Sequence, residues 1–137
     1  MKMPVRTIYG IQALFEISLH GEPEGAKAME IAEAQGIPIK FLEQILAALK
    51  KNKLVKSYRG REGGYVLSRH PKEITLLEVI EALEGPVSLT GEARRKGIVV
   101  QTLKKIEAKF IEELKKVTFG ELVEEKIRKE KIFVYSI

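Results

Sequence analysis

The sequence predicts a mainly helical fold in which three helices precede a small β-hairpin and a long carboxyl-terminal helix. Apolar residues recur at helical spacing from Arg6 to Leu19, and the glycine- and proline-containing segment 21–25 then breaks the pattern. A second, short helix is predicted over Ala28–Gln35, and after Gly36 a third runs to about Lys51. Two helices joined by so short a turn, following a longer helix, are typical of a helix-turn-helix domain.

A glycine-rich hairpin follows the third helix. Leu54–Tyr58 and Tyr65–Ser68 have the composition of strands, and the segment between them, Arg59–Gly64, contains three glycines that permit a tight turn. A hairpin in this place is a wing. The predicted fold class is therefore mainly α, a winged helix-turn-helix domain with a small β-hairpin wing.

Two capping boxes mark helix starts in the second half of the chain. Thr75–Glu78 opens a helix that reaches about Glu84 and is stopped by Gly85-Pro86. Thr118–Glu121 opens a short last helix to about Lys129, before the apolar tail Ile132–Tyr135. We predict a winged helix-turn-helix DNA-binding domain, which we call the reading domain, over residues 1–86, and a dimerisation helix with a carboxyl-terminal helix and tail over residues 87–137.

The segment Gly97–Lys116 predicts the long helix, because its apolar residues step by three or four. We call this set the pairing stripe: Val99, Leu103, Ile106, Phe110, Leu114 and Val117. In one interpretation, the stripe packs against the rest of its own chain. A homodimer is the preferred prediction, since two-fold DNA sites are bound by two-fold dimers and a long helix outside the reading domain can pair two copies.

Composition excludes several classes of function. The chain has no cysteine, so disulfides, thiolate-held zinc or iron–sulfur clusters and cysteine nucleophiles are chemically excluded. All of its 19 acidic residues are Glu, so no Asp is available for catalysis. His20 and His70 have no companions at metal-ligand spacing and are predicted surface residues. We therefore expect no metal, no cofactor and no enzymatic activity. Neither a signal peptide nor a membrane-spanning run is present, which predicts a cytoplasmic protein.

The third helix carries the predicted DNA-reading residues. Leu42, Ile45, Leu46 and Leu49 fall on one side and should face the core. Lys40, Glu43 and Gln44 remain outside, where Gln can pair with adenine, Glu can accept from cytosine and Lys can reach guanine or phosphate. Alone, such residues are ordinary solvated surface. Their place in a helix-turn-helix favours DNA contact.

Positive charge is concentrated beside this helix. The net charge is +5 with a pI near 9.4, and residues 50–62 hold six basic side chains against one acid. From this block we predict double-stranded DNA contacts by Lys50, Lys51, Lys56, Arg59 and Arg61. Lysines at a helix carboxyl terminus also favour the helix dipole, and a plain hairpin would explain the glycines. A protein–protein interaction module with no specific DNA target is therefore the alternative function.

Several segments, in combination and order, resemble the Rrf-two family of winged-helix repressors, which includes regulators of iron–sulfur cluster assembly, nitric-oxide response and cysteine metabolism. They are Tyr9–Leu14, Glu30–Ile37, Phe41–Leu46, Arg59–Tyr65, Ile74-Thr75, Val79-Ile80, Glu84–Pro86 and Thr118–Leu122. The resemblance implies that Glu43 and Gln44 read the major groove, that Arg59 enters the minor groove, and that Gly97–Lys116 is the dimer helix.

One departure from the family is large. Many members hold an iron–sulfur cluster through three cysteines before the dimer helix, whereas residues 87–97 contain neither Cys nor His. The chain therefore resembles the cluster-free branch. We expect a repressor that binds a near-palindromic operator as a homodimer. Any effector would be a small molecule or a protein that changes the spacing between the two DNA-reading parts of the dimer.

Overall fold

The computed structural model describes residues 1–58, 63–91 and 97–136, with the backbone alone for 133–136. The helices in these ranges are α1 Val5–His20, α2 Ala28–Gln35, α3 Ile39–Lys51, α4 Leu76–Glu84, α5 Ile98–Lys116 and α6 Phe119–Ser136. Strands β1 Val55–Tyr58 and β2 Gly64–Leu67 lie between α3 and α4, followed by a 3-10 turn at Pro71–Glu73. The mainly helical fold with a two-stranded hairpin is as predicted.

The turn between α2 and α3 depends on one glycine. Gly36 has a φ of 66°, in the left-handed region that residues with a side chain rarely adopt. This conformation lets the backbone N–H of Ile37 donate to the carbonyl of Ala32 at 3.0 Å, and Leu42 then donates to Pro38 at 2.9 Å to begin α3. The predicted helix-turn-helix is confirmed.

The core is built around α1, which contacts α2, α3, α4, α6 and β2. The four residues predicted to face inward from α3, Leu42, Ile45, Leu46 and Leu49, are fully buried. They meet buried side chains from the other elements: Leu14, Ile17, Ile31, Ile74, Val79 and Phe119. Because all four apolar residues of α3 point into the core, its polar residues point outward.

The wing hairpin is antiparallel, with Val55 opposite Leu67 and Tyr58 opposite Gly64. The first strand begins one residue later than predicted because the N–H of Leu54 bonds to Leu49 and still closes α3. The second runs over 64–67 where 65–68 was predicted. Ala26 and Tyr65 exchange two backbone hydrogen bonds of 2.9 and 2.8 Å, so the segment before α2 covers the free edge of β2.

Both predicted capping residues accept the expected hydrogen bond. Thr75 Oγ1 accepts from the N–H of Glu78 at 3.2 Å, and Thr118 Oγ1 accepts from the N–H of Glu121 at 3.2 Å. The two helix starts are also joined to each other. The N–H of Leu76 donates to Val117 and the N–H of Phe119 donates to Ile74, each at 3.0 Å. The junction between α5 and α6 is thereby attached to the start of α4.

The last helix is longer than predicted. We expected it to end near Lys129, but α6 continues to Ser136 and includes the apolar residues assigned to a tail. No glycine or proline follows Gly120, and pairs such as Lys126–Glu130 support successive turns. The helix returns to α1, and Phe119 at its start is fully buried. A residue beyond position 86 therefore belongs to the main core, while the division into two domains stays a prediction.

Within the described ranges, every helix is too short or too polar to cross a membrane.

Candidate nucleic-acid interface

The outer side of α3 presents Lys40, Glu43 and Gln44, which we call the reading face. All three side chains are exposed, and their spacing of three and four residues places them next to one another on one side of the helix. The opposite side is held by four fully buried residues. Because those residues fix the rotation of α3, the reading face cannot turn inward without opening the core.

A lysine cluster, Lys50, Lys51, Lys53 and Lys56, continues from the end of α3 into β1. All four side chains are exposed. Among the described residues, none of them forms an ion pair with a carboxylate. An uncompensated group of ammonium charges beside the reading face is what a phosphate backbone would contact.

The end of α3 is attached to α4 by Asn52. Its Nδ2 donates to the carbonyl of Ala48 at 2.9 Å and lies 3.4 Å from the carbonyl of Ala82 in α4. Lys53 follows with a φ of 59°, which reverses the chain into the wing. These two residues determine where the lysine cluster sits relative to α3.

The wing tip was predicted to supply Arg59 and Arg61. Both lie outside the described residues, and their contacts with DNA stay predictions. The strands on either side are described, with Tyr58 paired to Gly64 directly below the tip.

Phe41 was not singled out by sequence reasoning. It is partly exposed beside the reading face, and its ring meets that of Tyr9 in α1 edge-to-face, with centroids 5.5 Å apart and an interplanar angle of 85°. An apolar residue at this point suits contact with a thymine methyl group. Helical periodicity could have placed Phe41 next to Gln44, but its exposure depends on how α1 packs.

The pairing stripe lies mostly uncovered. Val99, Ile106, Phe110 and Leu103 are exposed to 67%, 52%, 44% and 37%, while Leu114 and Val117 are partly buried. The described part of α5 has no buried residue, although the helix contacts α4. A 19-residue helix with an exposed apolar side is suited to a second surface. The role of these six residues in dimerisation stays a prediction.

The two histidines have structural partners. His70 Nδ1 accepts from the N–H of Lys72 at 3.1 Å and caps the 3-10 turn. His20 Nε2 lies 3.1 Å from Oε2 of Glu16, and the other carboxylate oxygen, Oε1, accepts from Nε2 of Gln35 at 2.9 Å. In the part of the chain that the structure describes, no three His, Cys, Asp or Glu side chains are grouped to hold a metal ion.

Comparison with known proteins decides the family. The model of the Rrf2 family, described as an iron-dependent transcriptional regulator, matches residues 3–125. The chain belongs to the Rrf2 family. The helix-turn-helix-type regulator IscR of Photorhabdus laumondii is 36% identical over 97 residues, which are 71% of this chain and 59% of that protein. A Mycobacterium tuberculosis relative is 38% identical over 88 residues, or 55% of its length. This Rrf2 chain thus spans little more than half the length of these curated relatives.

Solved structures show the same fold over most of the chain. CymR, the global cysteine regulator of Bacillus subtilis, has a TM-score of 0.82 and 29% identity, with 90% of this chain and 97% of CymR covered. IscR of T. potens has a TM-score of 0.80 and 31% identity, with 92% and 88% covered. The winged-helix architecture of this Rrf2 protein is confirmed by these neighbours.

The residues of this Rrf2 protein do not fit a thiolate-held iron–sulfur cluster. Such a cluster needs cysteine thiolates, and the chain has none. The described residues also offer no alternative group of three histidine or carboxylate ligands. The iron dependence in the family description therefore has no matching thiolate in the sequence and no matching three-ligand group in the described ranges.

Proposed function

We propose that this chain is a cytoplasmic, non-enzymatic, DNA-binding transcriptional repressor that acts as a homodimer on a near-palindromic operator. One observation carries the proposal: an exposed polar face on α3 lies opposite a fully buried face and beside four lysines that have no carboxylate partner among the described residues. The family membership supports the same conclusion.

Each residue of the interface has a role that follows from its chemistry. Gln44 pairs with adenine, Glu43 accepts from the amino group of cytosine, and Lys40 reaches guanine or a phosphate in the major groove. Phe41 contacts a thymine methyl group. Lys50, Lys51 and Lys56 neutralise phosphates, while Arg59 enters the minor groove and Arg61 supports it.

The homodimer forms through α5. Leaving Val99, Leu103, Ile106 and Phe110 in water is unfavourable, and burying them against the same residues of a second copy gives a self-complementary, two-fold interface. Pairing about a two-fold axis would give the dimer two copies of α3, related by the same axis. Two-fold symmetry in the protein then requires an approximately palindromic operator.

Regulation proceeds without an iron–sulfur cluster in this proposal. The absence of cysteine supports it, as does the lack of a replacement ligand group in the described residues. An effector, a small molecule or a protein, would act by binding better to one spacing of the two DNA-reading parts of the dimer than to another.

Selection of bound fragments from genomic DNA, followed by binding measurements at several salt concentrations, tests this function. Affinity for both the selected operator and a scrambled duplex should fall steeply between about 50 and 200 mM salt, because phosphate contacts release counterions. The operator should remain at least about 10³-fold tighter than the scrambled duplex at physiological salt. A protein–protein interaction module would select no common sequence, and that result would reject the proposal.

A further inference from the structure

A groove of about 490 Å³ runs between α1 and α6, on a surface that the DNA interface does not use. We call it the α1–α6 groove. Its apolar walls come from Ile11 and Phe15 of α1 and Leu122 of α6, all partly buried. The volume falls within the range of small-molecule sites, and apolar walls with few polar groups are typical of them.

Gln12 lies in the same lining, and its side chain has an unsatisfied atom. The Oε1 atom is shielded from solvent and finds no hydrogen-bond donor among the described residues. A buried acceptor without a donor is unfavourable, and such groups in native proteins call for an explanation. The terminal torsion of glutamine is soft, and rotation about it is the movement that would present this oxygen to a ligand in the groove.

The charges at the rim compensate one another. Lys126 donates to Glu130 at 2.8 Å, and Lys129 lies 3.6 Å from Glu125. The four charged side chains in the lining, Glu125, Lys126, Lys129 and Glu130, have no net charge, and Arg128, which is outside the lining, also pairs with Glu125. The groove therefore favours a neutral molecule over an anion or a cation.

We infer that the α1–α6 groove binds a neutral, mainly apolar small molecule whose N–H or O–H group donates a hydrogen bond to Oε1 of Gln12. The walls contact the apolar body of the molecule, and its donor satisfies the acceptor that the fold leaves unpaired. This binding does not depend on the function proposed above.

Its use as an effector site does rest on that function. The groove lies along the contact between α1 and α6, and α1 also packs directly on α3. The start of α6 is joined to the end of α5 by Val117 and Thr118. A ligand between α1 and α6 would therefore act on the angle between α3 and α5.

Indole and 1-methylindole test the inference, since they share one apolar body and only indole has an N–H donor. The chain has no tryptophan, so indole emission reports binding to the full-length protein without DNA. The wild type should bind indole about three- to tenfold more tightly than 1-methylindole, the range expected for one hydrogen bond. Gln12→Leu should remove the preference. Gln12→Glu, which keeps an acceptor, should retain it.

Gln101→Leu on the exposed side of α5 is the matched control and should preserve the preference of the wild type. Equal affinities of the wild type for the two indoles would overturn the inference, and so would a preference that survives in Gln12→Leu. Absence of indole binding, with Gln12→Leu changing the dimer dissociation constant, would assign the groove to the second copy instead. All of these readouts are independent of DNA binding, so their failure leaves the proposed function standing.

Discussion

Two lysine-rich surfaces of this chain differ in how their charges are compensated. At the end of α3 and in β1, Lys50, Lys51 and Lys56 have no carboxylate partner among the described residues. In the carboxyl-terminal helices, Lys116 lies 3.1 Å from Glu113 and Lys126 lies 2.8 Å from Glu130. The total charge of the chain hides this contrast.

The difference indicates where a polyanion would bind. A lysine that already has a carboxylate neighbour brings little net charge to a phosphate, whereas an unpaired lysine neutralises the phosphate and releases a cation condensed on the DNA. A basic isoelectric point is thus weak evidence for DNA binding by itself. The position of the lysine cluster at the end of α3, without a carboxylate partner in the part of the chain that the structure describes, is stronger evidence.

The largest effect is expected from disrupting the proposed homodimer through α5, because the dimer brings two copies of α3 to one operator. Phe110→Glu would bury a carboxylate in the pairing stripe, and the protein should sediment as a monomer. Operator affinity should then fall toward the nonspecific level, a loss of about 10³-fold. Gln101→Glu adds the same charge to α5 outside the stripe and should leave the dimer intact. A dimer in Phe110→Glu would move the interface elsewhere.

A smaller but more selective effect is expected from Gln44→Ala on the reading face. Loss of the paired contact with adenine should cost about 1–3 kcal/mol on the operator and almost nothing on a scrambled duplex, as measured by fluorescence anisotropy. Because Gln44 is exposed, the free energy of unfolding should change by less than about 0.5 kcal/mol. Equal losses on the two duplexes would remove Gln44 from the sequence-reading residues.

Lys50→Ala and Lys116→Ala compare the two lysine surfaces directly. The first should lower the slope of log affinity against log salt by about one unit, because one phosphate contact is lost. The second removes a lysine that is paired with Glu113 and should leave the slope unchanged. Salt titrations of both variants on one operator measure the difference. Identical slopes would show that ion pairing does not separate the two surfaces.

The smallest effect concerns the carboxyl-terminal surface, where lysines are paired with carboxylates. The hydrogen bond and negative charge of Glu130 raise the pKa of Lys126 above its ordinary value. Glu130→Gln should therefore return this pKa toward the ordinary value, as followed by NMR. The stabilising contribution of a raised lysine pKa is complete below the ordinary pKa and is lost as pH rises through the raised one. Lys126 is protonated near neutral pH with or without Glu130 and lies outside the candidate DNA interface, so DNA binding at that pH should not change. An unaltered Lys126 pKa would contradict the pair.

Much of the fold could be predicted because its boundaries are set locally. Gly36 supplies a left-handed turn, and Thr75 and Thr118 cap the helices that follow them. The end of α6 was predicted wrongly because no local signal marks it. Ile132 and the apolar residues after it carry no local stop signal, and only the continuing backbone shows that they belong to the helix.

The candidate interface was predictable in part. The four buried residues of α3 repeat at helical spacing, so the opposite positions of Lys40, Glu43 and Gln44 followed from periodicity. The α1–α6 groove could not be predicted in this way, because Ile11 and Leu122 lie far apart in sequence and meet only when α6 returns to α1. That the lysine cluster has no carboxylate partner within residues 1–58, 63–91 and 97–136 is likewise a property of tertiary structure.

The hydrogen bonds that join Val117 to Leu76 and Phe119 to Ile74 hold the carboxyl-terminal end of α5 at the start of α4. The 19 residues of α5 extend about 28 Å from that end, so the helix resembles a lever with its fulcrum at the junction. A tilt of about 5° there would displace the far end by about 2.5 Å. Two such levers in a dimer would turn a slight local rearrangement into a change in the distance between the two α3 helices.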